Sequence, residues 1–318
     1  MRKAIRCLGY PLLFATLFSA FSLSSKAHFD DKIMITPYWP PTLGNVTDDE
    51  YARLAKAGFN CVLGISDGVC TPSTQKEMLN FCKKYQLPML VADERLVYSP
   101  MTLHASDIQA IVKEYTSHTS TYGFYIKDEP TYPNDFINVC KAIKSADPDA
   151  WLHLNFLPGF AYQSADEYVA IVEDWARICR ANNIPVDCLI FDMYPFQKKE
   201  YSMDRNTFLT NLEQFRQIGL RNGVKTGTYL QSCRLDQADR YPNEIELQYE
   251  LNLALAYGNK QISHFLYATP INPGNTIGGM IAADGTATET YQVVTKLNKI
   301  IDAWSNTLVS CDALEVYF

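Results

Sequence analysis

The chain has 318 residues, of which 47% are hydrophobic and 20% charged. That is an ordinary globular composition, long enough for one large barrel or two small domains. The formal net charge is −7, which argues against nucleic acid as a partner, because phosphate binding needs a basic face.

Residues 1–27 stand apart from the rest. Arg2, Lys3 and Arg6 make a basic start, an apolar stretch runs from Leu8 to about Leu23, and Ser25-Lys26-Ala27 supplies the small residues a signal peptidase needs. The apolar run is short and broken by Pro11 and several serines, so a cleaved leader is expected rather than a membrane anchor. Export to the periplasm or the medium follows, with no membrane span in the mature chain. The leader carries four basic and no acidic groups, so without it the net −7 falls by four, to −11. The cysteines left are Cys61, Cys70, Cys82, Cys140, Cys179, Cys188, Cys233 and Cys311. Export permits disulfides, and the spacings fit no zinc pattern. Most are expected to be buried free thiols. Cys179–Cys188 is the candidate bridge by proximity.

From residue 28 to 318 the chain alternates strand and helix. Ile33–Trp39 reads as a first strand ending in aromatics. Thr47 caps a helix to Lys56, with Glu50 completing a capping box and Gly58 ending it. A second strand covers residues 60–65, a helix capped by Ser73 runs to Tyr85, and a third strand covers 87–92. Ser106 is the expected cap of a helix to about His118. The fourth strand, Tyr122-Gly123-Phe124-Tyr125-Ile126-Lys127-Asp128-Glu129-Pro130, must stop at its proline. Asn134–Ala146 is expected to be helical, and 151–158 a fifth strand. Ser164 caps a helix to about Ala181, and 186–192 is a sixth strand. Asp204 opens a helix that ends near Gly223, and 225–230 is a seventh strand. Asn243–Ala256 is helical, 261–267 is an eighth strand, and a helix from Thr286 to about Trp304 follows. Cys311–Phe318 is expected as a last strand on the outside.

Eight such units match one single-domain (β/α)8 barrel of ~250 residues. The near-continuous apolar strands are those of a parallel sheet covered by helices. A doubly wound open sheet is the alternative, but no Gly-rich loop follows the first strand.

In such a barrel, ligands bind at the carboxyl ends of the strands. Those ends hold Tyr38 and Trp39, Asp67, Asp93 and Arg95, Asp128 and Glu129, Asn155, Asp192 and Tyr194, Gln231, and Tyr267. Carboxylates and amides bond hydroxyls, aromatic faces stack on sugar rings, and the chain carries 20 tyrosines. No nucleophile-elbow motif is present. His153 and His264 stand alone in strands and read as satisfied core residues, and no metal or organic cofactor is implied. Burial beside Asp128 would raise the pKa of Glu129, as an acid that protonates a leaving oxygen requires. Pairing with Lys127 or Arg95 is its bland alternative. For Asp192 the alternative is a strand-end carboxylate capping the turn before Pro195.

Lys127-Asp128-Glu129-Pro130 at the fourth strand end resembles the Asn-Glu-Pro of clan A glycoside hydrolases. Phe191-Asp192-Met193-Tyr194-Pro195 resembles the Asp-x-Tyr-Pro of exported bacterial hydrolase-like barrels. The resemblance covers residues 31–304 in strand order and implies a carbohydrate substrate, with Glu129 as general acid/base. Two positions depart from it. Asp128 stands where the clan has Asn, and Gln231 stands where the clan's strand-seven nucleophile Glu would be. Glu244, Glu246 and Glu250 follow but are not expected to point inward.

Three mechanisms compete at this point. Asp192 could be the second carboxylate, in a wide pair with ~6.5–9.5 Å between carboxyls that admits water and inverts configuration. The substrate could assist, as in family 18 chitinases, which pair Asp-x-Glu on strand four with a Tyr on strand six, whereas here the acids are adjacent. Or the barrel binds glycan without cleaving it. A metal-dependent hydrolase using Asp67, Asp93, Asp128 and Asp192 is a further rival. The reading favoured is a monomeric glycosidase with Glu129 as acid and Asp192 as base or nucleophile. Asp128, Asn155, Tyr194, Gln231 and Tyr267 would contact substrate, Tyr38 and Trp39 would form a stacking wall, and Asp93 with Arg95 would be an orienting pair.

Overall fold

A computed structural model describes residues 29–196, 203–235, 240–271 and 277–317. The leader expected over residues 1–27 lies outside them. Eight parallel strands form the sheet: β1 (Met34–Pro37), β2 (Val62–Leu63), β3 (Met89–Val91), β4 (Thr121–Asp128), β5 (Trp151–Phe156), β6 (Cys188–Phe191), β7 (Lys225–Gln231) and β8 (Gln261–Phe265). From β2 to β8 each strand pairs with the next, and β1 pairs with β8. The remaining seam, β1 to β2, carries hydrogen bonds from the Asn60 and Cys61 N–H groups to the Ile35 carbonyl. The expected (β/α)8 barrel is therefore present. Its helices are α1 (Asp48–Lys56), α2 (Pro72–Lys84), α3 (Glu94–Val97), α4 (Ala105–Thr116), α5 (Ile137–Ala146), α6 (Ala165–Ala181), α7 (Arg205–Asn222), α8 (Glu244–Ala256) and α9 (Glu289–Leu308).

The period-two alternation of the strands sorts the apolar residues into two layers. Ile35, Val62, Met89, Val91, Phe124 and Ile126 join the layer between sheet and helices. Their neighbours Met34, Leu63, Leu90 and Tyr125 fill the barrel interior with Ile190 and Tyr229. The interior also holds a polar stack. Thr36 bonds Ser263 (2.6 Å), and His153 bonds Tyr229 (2.9 Å) and Gln261 (3.2 Å). Gly123 is required where β4 meets β5, since a Cβ there would lie 2.0 Å from the Trp151 carbonyl oxygen.

The helix caps at Thr47, Ser164, Asp204 and Asn243 fall where the sequence places them, each accepting a backbone N–H. Others are corrected. Thr71, not Ser73, caps α2, because Pro72 takes the first helical position. His104, not Ser106, opens α4, with Asp107 bonding back to the His104 N–H. Residues 134–136 belong to a 3-10 turn, Pro133–Phe136, ahead of α5. Helix α9 starts at Glu289 and runs four residues beyond Trp304, to Leu308. Residues 311–317 form no strand. That tail is instead tied down through the carbonyls of Ala313 and Leu314, which accept from the Arg216 guanidinium at 2.8 and 2.6 Å. All eight cysteines after the leader are free, as expected of most of them, so the candidate Cys179–Cys188 bridge is not formed; seven are buried and Cys311 is exposed. No helix among the described residues is long and apolar enough to cross a membrane.

Candidate active site

A cavity of about 300 Å³ opens at the carboxyl end of the barrel. Its wall includes Tyr38 and Trp39 from β1, Asp128 and Glu129 from β4, Asn155 from β5, Asp192 and Tyr194 from β6, and Tyr229 from β7.

Two pairs of adjacent residues line this one cavity, although successive side chains of a strand point to opposite faces. In both pairs the second residue leaves the strand conformation. Trp39 has φ 55° and Glu129 has φ 44°. Left-handed backbone at non-glycine residues costs of order 1–3 kcal/mol and clusters at functional sites. Here it turns Trp39 beside Tyr38, with the rings stacked at 6.3 Å, and turns Glu129 toward the cavity that Asp128 already faces. The Glu129 N–H still bonds the Asn155 carbonyl at 2.9 Å, so the turn happens within the β4–β5 ladder.

Register places Asp128 opposite Asn155. The Asn155 amide nitrogen donates to Asp128 Oδ1 at 3.0 Å and to Asp192 Oδ1 at 3.1 Å, so those two oxygens cannot be more than 6.1 Å apart. Tyr38 donates to the other Asp128 oxygen at 2.7 Å. Glu129 and Asp192 line the same cavity and are near enough for each to perturb the other's proton affinity. Asp192 is the more buried, at 6% exposure. Burial, then the charges of Glu129 and Asp128, push its carboxyl well above the ordinary range. Glu129 is raised as well, by partial burial and by Asp128. Both members of the Glu129–Asp192 pair expected from the sequence stand on this one cavity wall.

The rest of the wall is aromatic. Phe265 stacks on Tyr194 at 4.6 Å and packs against Tyr38 at 5.5 Å. Burial holds the Tyr38, Tyr194 and Tyr229 hydroxyls far above their usual pKa, so they serve as neutral donors.

Several expected site residues lie elsewhere. Asp93 is buried, receives two hydrogen bonds from the Arg95 guanidinium (2.9 and 2.7 Å) and one from Tyr115 (2.5 Å), and caps α3. Burial raises its pKa, but these partners outweigh that and hold it low. The pair braces the β3 loop instead of orienting substrate. Gln231 exchanges two hydrogen bonds with the backbone of Phe196 (2.8 and 2.9 Å). Its own N–H donates to both carboxyl oxygens of Glu250, at 3.0 and 3.1 Å. Glu250 is fully buried, and burial pushes it up to about 8. Gln231 is therefore a clamp on the segment that follows Asp192 and Tyr194. Strand β8 ends at Phe265, two residues before Tyr267, which faces α1 and donates to Glu50 at 3.0 Å. Glu244 pairs with Lys296 and Glu246 with Arg240, both away from the cavity.

Asp67 accepts from the Ile271 N–H at 3.2 Å and, like Asp93, does not line the cavity, so the four aspartates of the metal alternative are not gathered. His153 and His264 are buried and bonded, and burial pushes them down to about 3 and about 4. The cavity residues not anticipated are Tyr229, Phe265, Leu266, Pro270 and Ile277. Tyr229 was legible from strand parity, two positions before Gln231.

The sequence matches no family model and no curated protein. The fold is shared with solved glycosidases. A glucosidase from Croceicoccus marinus superposes with a TM-score of 0.61 at 12% identity, over 85% of this chain and 68% of the other. A β-galactosidase from the psychrophilic Marinomonas ef1 gives 0.65 at 10%, over 87% and 62%, so this chain spans less than two thirds of that enzyme. A Thermobacillus composti GH10 xylanase gives 0.55 at 15%, over 85% and 97%. The barrel expected from the clan A resemblance is the barrel these glycoside hydrolases have.

Proposed function

We propose that this chain is a glycoside hydrolase acting on an oligosaccharide or polysaccharide, with Glu129 as general acid and Asp192 as base or nucleophile. The observation that carries the reading is the gathering of Asp128, Glu129 and Asp192 in one aromatic-walled cavity at the carboxyl end of the barrel, with the Glu129 and Asp192 carboxyls both raised by burial. A raised carboxyl poised to give a proton beside one that keeps its charge is the requirement for breaking a glycosidic bond. Glu129 sits at the open rim and reaches the leaving oxygen. As a proton passes outward from Asp192 to Glu129, Asp192 becomes the carboxylate facing the developing positive charge on the sugar ring. Asp128, fixed by Tyr38 and Asn155, accepts from sugar hydroxyls. Tyr194 donates to hydroxyls, and the Trp39 and Tyr38 rings stack on a sugar face.

Asp128 Oδ1 and Asp192 Oδ1 lie within 6.1 Å of each other. Carboxyls so crowded are nearer the ~5–5.5 Å of a retaining pair than the ~6.5–9.5 Å of an inverting one, and retention is the route we infer. The test is hydrolysis of a glycan panel by wild type and Glu129→Gln, with product anomers followed by NMR. Cleavage lost in the variant supports the assignment, and an inverted product sinks the retaining route.

A second reading is a binding barrel without turnover. The amide that stands at the clan's nucleophile position, Gln231, is fully engaged with Phe196 and offers no chemistry. Glycan binding without cleavage by wild type would decide for it. The leader at residues 1–27 makes this an exported protein in our reading, and mass spectrometry of the mature amino terminus tests that.

A further inference from the structure

We propose that Tyr98, Tyr132 and Phe160 form an aromatic arc that binds further sugar rings of a glycan chain, on the leaving-group side of the cavity. This rests on the glycosidase reading and gives it a direction. The three residues belong to the loops after β3, β4 and β5, which are consecutive around the carboxyl face. Tyr132 follows Glu129 by three positions. A general acid stands next to the oxygen it protonates, so the departing sugars extend over its side of the rim.

All three rings are exposed, at 64%, 70% and 64%. Leaving large apolar groups in water gains nothing for folding, and clusters of them mark interaction surfaces. They are not loose ends either. Phe160 sits in a 3-10 turn, Gly159–Ala161, pinned by the Gly159 N–H on Asn211 (2.7 Å) and by Tyr162 stacked on Tyr168 (5.2 Å). Tyr132 lies between Pro130 and Pro133, whose rings fix the backbone. Tyr98 ends α3, which the Asp93–Arg95 pair braces, and its hydroxyl donates to the Cys70 sulfur at 3.6 Å. Rigid segments presenting open aromatic faces lose little entropy on binding. The flat apolar face of a pyranose fits such a ring, and the tyrosine hydroxyls can bond its rim.

The test uses the full protein and a Tyr98→Ala/Tyr132→Ala/Phe160→Ala triple variant, whose positions are exposed and outside the cavity. Activity is compared on a chain-length series of whichever glycan the wild type cleaves, and on the matching glycosyl fluoride, which has no leaving sugar. The expected result is a loss of kcat/KM of at least about 10-fold on long chains, with the fluoride unchanged. Equal loss on both, or none on either, overturns the arc. Affinity electrophoresis in gels of xylan, mixed-linkage β-glucan and galactan reads the arc even if nothing is cleaved. Retardation of wild type that the triple variant loses supports it while the catalytic reading falls. Identical migration of the two proteins in every gel overturns it. So does a wild-type dimer that the triple variant dissolves while glycan retardation stays unchanged.

Discussion

Glu129 and Asp192 face one cavity, the first at its open rim and the second 6% exposed on its floor. Burial and neighbouring charge make each carboxyl hold a proton more firmly than it would in water. For Asp192 the folded pKa lies above the unfolded value, so the native state binds the proton more tightly. The stability this gives is complete below the ordinary aspartate pKa of ~3.9 and is lost as pH rises through the folded value.

Asp192→Asn should therefore stabilise the protein at pH 8 and leave it unchanged near pH 3.5. The amide keeps an acceptor for Asn155 and offers Glu129 a permanent donor. Hydrolysis should fall by about 100-fold or more. Thermal unfolding at the two pH values checks the first claim. A midpoint lower than wild type at pH 8 would contradict it.

Asn155 donates to both Asp128 and Asp192. Asn155→Leu should leave the two carboxylates facing each other across at most 6.1 Å without it. Without that bond, which lowers it, the Asp192 pKa should rise further, so the acid limb of the pH–activity profile moves to higher pH. A stability loss of about 1–3 kcal/mol should accompany it. An unmoved acid limb, measured on the same substrate, would mean the amide does not tune the pair.

How far the sequence discloses this site depends on which physical cause sets each residue. Residues placed by strand periodicity and strand ends were legible: Tyr38, Asp128, Asn155, Asp192 and Tyr194 all reach the cavity. Tyr267 was not, because strand β8 ends two residues sooner than its apolar run, and the chain then turns outward toward Glu50. Gln231 and Asp93 are strand-end polar residues as well, yet partners distant in sequence, Glu250 and Phe196 for one and Tyr115 for the other, take up their hydrogen bonds. No local pattern encodes such pairings. The turn that brings Glu129 to the cavity wall beside Asp128 uses a left-handed residue that propensity disfavours, and strand parity alone would have sent its side chain to the other face.

Glu250 supports Gln231, and Gln231 holds Phe196. Burial pushes Glu250 up to about 8, so it is mostly protonated at pH 7. Stability linked to it is complete below the ordinary glutamate value of ~4.3 and is lost as pH rises toward and past 8. Glu250→Gln should raise the thermal midpoint at pH 9 and not at pH 4. Gln231→Glu should restore no nucleophile, because the side chain at that position faces the Phe196 backbone, and activity should fall through loss of the donor to the Phe196 carbonyl. A gain of hydrolysis in Gln231→Glu would show the clamp to be misassigned.

The left-handed backbone at Glu129 separates stability from function most directly. Asparagine tolerates φ near 44° better than glutamate does. The Glu129 side chain is exposed, so little packing depends on its length. Glu129→Asn should then be more stable than wild type by about 1 kcal/mol, a rise in midpoint of roughly 2–4 °C, while losing activity. Glu129→Gln is the control: it removes the charge and keeps the strained backbone, so it isolates the electrostatic part of any gain. If both variants stabilise equally, the cost at this position lies in crowded carboxylates rather than in the turn. If only Glu129→Asn does, the protein holds a strained residue at the point where its proton is delivered, and relieving that strain removes activity.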